Sequence, residues 1–278
     1  MRIYLSVDLE GVNGIVHSSQ TQPGEPGYER AVQMMHAEAN AVIDGALAAG
    51  ATAIVVNDAH WDMRNLRPEL LHPPAVLISG WQKPFSMVSG INGRVDAAMF
   101  VGYHSRAGTA RGVLSHTYRA QVFLDIKLNG RPVGETGLNA ALAGWFDVPV
   151  ALVAGDDAVC DEAAELIGPV ACVPVKTAIS RYSAVCRPHA EALDSLRRKS
   201  EQALSDRAGW QIFKPPSPST LSITMVDPAM ADGAELLPNI ERTGDREIQI
   251  TADDYSVLFR LMLAVGAIAA SRRDPVFS

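Results

Sequence analysis

Short runs of β-branched and aliphatic residues, each followed by a longer Ala-rich stretch with helical spacing, recur along this chain. That alternation restricts it to β-α units, an α/β fold with a mostly parallel central sheet flanked by helices. Ile3–Val7 reads as the first strand, and Tyr28–Ala49 as the first helix, with Ala31, Met34, Met35, Val42, Ile43, Ala46 and Leu47 along one face and Gly50 as its stop. Further strands are predicted at Ala53–Val56, Ala75–Ile78, Ala97–Val101, Val122–Leu128 and Val150–Val153, with a helix over Glu135–Trp145. A smaller C-terminal α/β portion follows, read as helix 157–167, strand 170–175, helix 189–207, strands 221–226 and 247–251, and helix 254–270. The breaker cluster Lys214-Pro-Pro-Ser-Pro-Ser219 reads as a loop within that portion.

Composition narrows the function classes. At 278 residues with 47% hydrophobic and 20% charged side chains, the chain has enough apolar surface for a large core and is neither disordered nor fibrous. A net charge of -7, with no basic cluster beyond Arg197-Arg198-Lys199, argues against a nucleic-acid partner. Cys160, Cys172 and Cys186 form neither an even set nor a C-x-x-C pair, which fits a reducing, cytoplasmic setting. Asp8 interrupts the N-terminus before a signal-peptide core develops, and the apolar stretch Leu261–Ala270 is half the length needed to span a bilayer, so no membrane role is expected.

Chemistry-bearing residues cluster at strand ends. In Ser6-Val-Asp-Leu-Glu-Gly11, two-residue periodicity puts Ser6, Asp8 and Glu10 on one face, and two neighbouring carboxylates are best reconciled by a cation between them. His60 and His104 each follow an apolar run, in Val55-Val-Asn-Asp-Ala-His60 and Phe100-Val-Gly-Tyr-His104. Ligands gather at the carboxyl ends of strands in open α/β sheets, so these four residues could converge, and mixed carboxylate and imidazole donors suit Zn, Mn or Fe rather than Ca. Glu135 opens a helix, where it could be a ligand or a capping anion. His116 has no carboxylate beside it in sequence and could act as acid, base or oxyanion partner. His17, His36, His72 and His189 read as structural or solvated, and Asp156-Asp157, which also ends a strand, reads either as a further site candidate or as a helix cap. No P-loop, G-x-G-x-x-G or G-x-S-x-G motif occurs.

These segments, together with Leu71-His-Pro73, Lys83-Pro-Phe-Ser-Met-Val88, Gly112-Val-Leu-Ser-His116, Arg131-Pro-Val-Gly-Glu-Thr-Gly-Leu-Asn139, Val153-Ala-Gly-Asp-Asp157 and Val175-Lys-Thr-Ala-Ile-Ser-Arg181, resemble in order those of the zinc-dependent D-aminopeptidases associated with dipeptide-permease operons. The resemblance covers roughly residues 1–185 and weakens beyond, which divides the chain into a metal-binding catalytic core (1–185) and a C-terminal portion (186–278) packed against it. It implies that Asp8, Glu10, His60, His104 and Glu135 hold two zinc ions per subunit, with Asp8 as the bridge, and that His116 is catalytic. It also implies a ring-on-ring homodecamer with its active sites in an internal chamber. The reading is a cytoplasmic dizinc aminopeptidase that removes a small D-residue such as D-Ala from short peptides, the substrate amine meeting a zinc or a carboxylate such as Asp58 or Asp62. The alternatives are another dinuclear hydrolase, an amidohydrolase or phosphoesterase, and a peptide-binding or assembly protein with closed zinc sites. Departures from the family pattern fall in Ser18–Pro26, at Trp61 and Trp81, and in Tyr118–Phe123.

Overall fold

A computed structural model describes residues 1–92, 94–207, 210 and 212–272. In chain order its elements are β1 (Arg2–Val7), α1 (Tyr28–Ala48), β2 (Ala53–Asp58), β3 (Ala75–Ile78), β4 (Ala97–Tyr103), β5 (Phe123–Leu128), β6 (Arg131–Pro132), α2 (Glu135–Trp145), β7 (Val150–Asp156) and α3 (Asp157–Ile167). They continue with β8 (Ala171–Ser180), β9 (Ser183–Cys186), α4 (His189–Ser205), β10 (Ser219–Met225), α5 (Pro228–Ala234), β11 (Ile240–Arg242), β12 (Glu247–Ala252) and α6 (Tyr255–Ala270).

The main sheet has seven strands in the order β3-β2-β1-β4-β7-β8-β9, all parallel except the edge strand β9, which returns antiparallel to β8. Both faces are covered. Ile3, Leu5 and Val7 pack on one side with Val42 and Ile43 of α1 and Leu196 of α4, while Tyr4, Phe100 and Tyr103 pack on the other with α2, α6 and a second sheet. Burial on two faces explains why β1, β4 and β7 read as almost unbroken apolar runs. From β1 the chain builds outward through β2 to β3, then crosses to β4 on the opposite side, so the strand order reverses between β1 and β4. A crevice opens at the carboxyl ends of strands at such a reversal.

The strand predicted at Val122–Leu128 does not join the parallel sheet. As β5 it lies in an antiparallel five-stranded sheet, β11-β12-β10-β5-β6, in which Ile126 pairs with Ile223 and Ile223 with Ile248. This sheet therefore combines strands from before residue 185 with strands from after it. The predicted strand 170–175 extends to Ser180 and turns back as β9, and α5, β11 and the short β6 are additions to the predicted elements. The segment Leu261–Ala270 lies in α6, which buries Phe259, Met262, Val265 and Ala269, and among the described residues no helix is long and apolar enough to cross a membrane.

Backbones crowd where β1 and β4 end. The Gly11 N–H donates to the Gly102 carbonyl at 2.8 Å, Gly102 takes a left-handed φ of 69°, and a Cβ there would fall on the Asp8 carbonyl oxygen. Only glycine satisfies both the angle and the approach. Gly102→Ala is expected to cost at least about 2 kcal/mol through overpacking and strain, read as a lower urea midpoint. An unchanged midpoint would contradict this account of the junction.

Candidate metal centre

The reversal between β1 and β4 brings the predicted residues together. Asp8 follows β1, its backbone still bonded to the Val101 carbonyl of β4, and Glu10 lies two residues on. His60 follows β2, which is hydrogen-bonded to β1, and His104 follows β4. Glu135 is the first residue of α2. The His60 Nδ1 lies 2.9 Å from Glu10 Oε2 and 3.3 Å from Asp8 Oδ1. On the other side of Asp8, His104 Nε2 is 3.6 Å from Asp8 Oδ2 and 3.2 Å from Glu135 Oε2. Asp8 thus stands between two imidazoles, each shared with a second carboxylate. All five side chains are buried.

His116 belongs to the same cluster. Its ring stacks on His104 with centroids 4.1 Å apart and 12° between planes, and its Nε2 is 3.8 Å from Glu135 Oε1. Two overlapping sets of donor atoms, Asp8, Glu10 and His104 on one side and His104, His116 and Glu135 on the other, each lie within 4.8 Å of one another.

Carbonyls and backbone amides fix the donors. The His60 Nε2 donates to the Thr21 carbonyl at 2.7 Å, which leaves Nδ1 facing the carboxylates. The Nδ1 of His104 donates to the Ser105 carbonyl and that of His116 to the Leu114 carbonyl, so both present Nε2 to the cluster. Such outer hydrogen bonds set the tautomer and orientation of imidazole ligands. The Tyr118 N–H donates to Glu135 Oε1 at 2.6 Å, so this glutamate faces into the site instead of capping α2 by its own side chain.

The donor set fits a metal. Asp8 Oδ2 and His104 Nε2 are buried without a hydrogen-bond partner, an arrangement that costs free energy unless a cation satisfies both. Without metal, protons must play that part. Burial disfavours charge on His104, but Glu135 and Asp8 outweigh it and push its pKa up to about 10. Burial also opposes charge on His60, and Glu10 and Asp8 hold it well above the usual imidazole range. Burial and the Glu10 charge raise Asp8 to about 7, while Glu10 and Glu135 overcome their own burial through His60 and His104 and fall below the usual range.

Residues without a sequence signature complete the site. Lys176, buried in β8, donates to the carbonyls of Glu10, Val12 and Ile15 at 2.6, 2.9 and 2.6 Å, gathering the turn that follows Asp8. A lone lysine within Val173-Pro-Val-Lys-Thr-Ala178 was its available signal. Asp156 caps α3 through the Val159 N–H, as expected, and also takes the Val113 N–H, tying down the segment that carries His116. Asp58 and Asp62 are already engaged. The Asp58 carboxylate is buried and receives the N–H groups of Asn65 and Leu66 and the Asn65 amide, and Asp62 pairs with Arg64. Among the remaining histidines, His36 bonds the Val32 carbonyl and accepts the Arg67 N–H, His72 pairs with Asp44 and His17 caps a short 3-10 turn.

An α/β sheet with buried carboxylates and imidazoles at its switch point defines the class of metallohydrolases. The chain belongs to the M55 peptidase family, described as D-aminopeptidase, whose model matches residues 1–264. It is 42% identical over 270 residues to the D-aminopeptidase of Bacillus subtilis strain 168, covering 97% of this chain and 98% of that one. Its fold matches the solved Zn-dependent D-aminopeptidase DppA from Bacillus subtilis, a self-compartmentalizing protease, with a TM-score of 0.94 and 41% identity over 97% of this chain and 98% of the other.

Metal binding must displace protons from His60 and His104, because the raised imidazole pKa values mean that both carry protons at neutral pH in the metal-free chain. Zinc affinity is therefore expected to fall as pH is lowered from 8 to 6, and calorimetry in buffers of different ionisation enthalpy should show proton release. Binding without proton release would contradict this electrostatic account.

Proposed function

We propose that this peptidase is a dizinc aminopeptidase that removes a D-residue, D-Ala or one of similar size, from the N-terminus of short peptides. The carrying observation is the placement of Asp8 between His60 and His104, with Glu10 and Glu135 outside them and two buried donor atoms unpartnered. Asp8, Glu10, His60, His104 and Glu135 would hold the metals, Asp8 as the bridge, in keeping with the Zn-dependent relative. Bound zinc supplies a Lewis acid for the scissile carbonyl and brings a water's pKa toward neutrality.

The chain's own residues supply positioning and proton transfer. His116 keeps its Nδ1 proton on the Leu114 carbonyl, so Nε2 carries the free lone pair. Burial and the neighbouring His104 lower its pKa, leaving it neutral at pH 7 and able to accept a proton and return it to the leaving amine. With Asp58 and Asp62 engaged elsewhere, the substrate ammonium falls to the carboxylates of the cluster itself.

We infer further that ten copies assemble as two stacked rings in the cytoplasm, with the sites facing an internal chamber. The self-compartmentalizing relative supports assembly, and the three cysteines, with no disulfide spacing, support a reducing compartment. The portion 186–278 is read as packed on the core without independent folding, since β10 pairs with β5 and α4 lies on α1. Light scattering should give a decamer, and a monomer would overturn the chamber.

Metal analysis combined with cleavage of matched D- and L-alanyl dipeptides, before and after chelation, tests the activity. Two zinc ions per chain and chelator-sensitive cleavage of the D-dipeptide are expected; activity on neither dipeptide would overturn the reading. His60→Ala and His104→Ala should lose metal and activity together while remaining folded by circular dichroism. His116→Ala should retain both metals and lower kcat by about 10²- to 10⁴-fold. A change confined to KM would contradict the proton-transfer role.

A further inference from the structure

The metal cluster accounts for one end of a peptide substrate, the amine and the scissile carbonyl, and leaves its carboxylate end without a partner. A cation lies one residue along the chain from the group that holds Glu135. Arg119 directly follows Tyr118, whose N–H holds Glu135, and Tyr118 takes a left-handed φ of 56° that turns the chain at this point. The Arg119 guanidinium lies over the Trp81 ring, 5.8 Å from its centroid. Its stem rests against α6 at Gly266, where a methyl group would meet the Arg119 Cδ at 3.4 Å, and its carbonyl accepts the N–H groups of Val122 and Phe123. Arg119 is half-buried and forms no ion pair among the described residues.

Trp81 is held at the same rim. Two residues on, the Lys83 ammonium donates to Asn57 Oδ1 and to the Asp58 carbonyl at 2.7 and 2.6 Å, fastening this loop to the end of β2 two residues before His60. At the loop's far side, Phe85 meets Phe259 edge-on, and so does Tyr118 from the opposite segment. The Trp81–Arg119 pair therefore bridges from the strand that delivers His60 to the segment that holds Glu135. Trp81 is 54% exposed and Arg119 only partly covered, so the pair is open to solvent.

We propose that Arg119, braced on Trp81, is the receptor for the C-terminal carboxylate of short peptide substrates. A guanidinium takes a carboxylate through two parallel hydrogen bonds, and stacking on an aromatic face holds its fork in place while leaving its edge N–H groups free. The peptide lies with its amine at the acidic cluster and its carboxylate at Arg119, and its length is set by the span between them. Size selection is then built into a single subunit, independently of any chamber. This assignment rests on the aminopeptidase reading above and adds a residue outside the metal cluster.

The test is the ratio of kcat/KM for a D-alanyl dipeptide to that for its C-terminal amide, measured on the zinc-loaded protein. Wild type is expected to favour the free acid by about 10- to 100-fold, the size of one charge-assisted interaction. In Arg119→Gln the ratio should collapse to about 1–3, mainly through KM, and Arg119→Lys should recover part of it. A residue that merely braced Trp81 would lower activity on acid and amide alike and leave the ratio intact, which would overturn the assignment. A wild-type ratio near 1 would overturn it as well, without recourse to any variant. Cleavage of neither substrate by wild type would instead overturn the aminopeptidase reading itself.

Discussion

Three carboxylates and three imidazoles share one largely water-excluded cluster at the end of the main sheet, and the rest of the architecture serves to hold them there. Isolated buried carboxylates are costly, and like charges as close as Asp8 and Glu10 disfavour each other's ionisation. The imidazoles offset this in the metal-free chain, at the expense of Asp8 Oδ2 and His104 Nε2, which stay unpartnered. A divalent cation resolves both problems at once, because it compensates the carboxylate charge and occupies the orphaned donors. Metal binding would therefore complete the cluster's electrostatics, and because the same carboxylates hold protons on the imidazoles it would depend on pH.

Rigid backbone delivers the side chains of the cluster. Asp8, His60 and His104 sit at the ends of three adjacent parallel strands, and the close approach of Gly11 to Gly102 sets the spacing between two of them. Lys176 gathers the Glu10 turn from below, and Asp156 and the hairpin tip at Arg181 fix the Leu114 segment that positions His116. The hydrogen-bond chain from Tyr118 through Asn139 and Tyr103 to Ser6 ties the Glu135 side of the site to β1. The three imidazoles are thus oriented by backbone carbonyls and Glu135 by the Tyr118 N–H, the kind of outer support that fixes the geometry of metal ligands.

Much of this was legible in the chain because strand-end chemistry is local. Simple alternation points Ser6 and Asp8 the same way, with Glu10 brought in by the turn beyond β1, and the apolar runs before His60 and His104 announce buried strands whose ends must lie near each other in a parallel sheet. Glu135 was ambiguous for a physical reason: a capping glutamate and a ligand both belong at a helix start, and only the Tyr118 N–H distinguishes them. Pairing direction was less accessible. Phe123–Leu128 looks like any short strand, yet its alternation of Asp125 and Lys127 with buried Ile126 and Leu128 is the mark of a half-exposed antiparallel strand, shared with β10 and β12 and absent from β4. The hairpin to β9 turns through Arg181 and Tyr182, without glycine or proline, and so carries no turn signal.

The central proposal is that Asp8 would be shared by two metal ions, with Glu10 and His60 holding one and His104 and Glu135 the other. Anomalous diffraction at the zinc edge from crystals of the zinc-loaded protein tests it most directly. The account predicts two peaks per chain, one on either side of the Asp8 carboxylate. A single peak, or peaks that leave Asp8 without a metal, would contradict it.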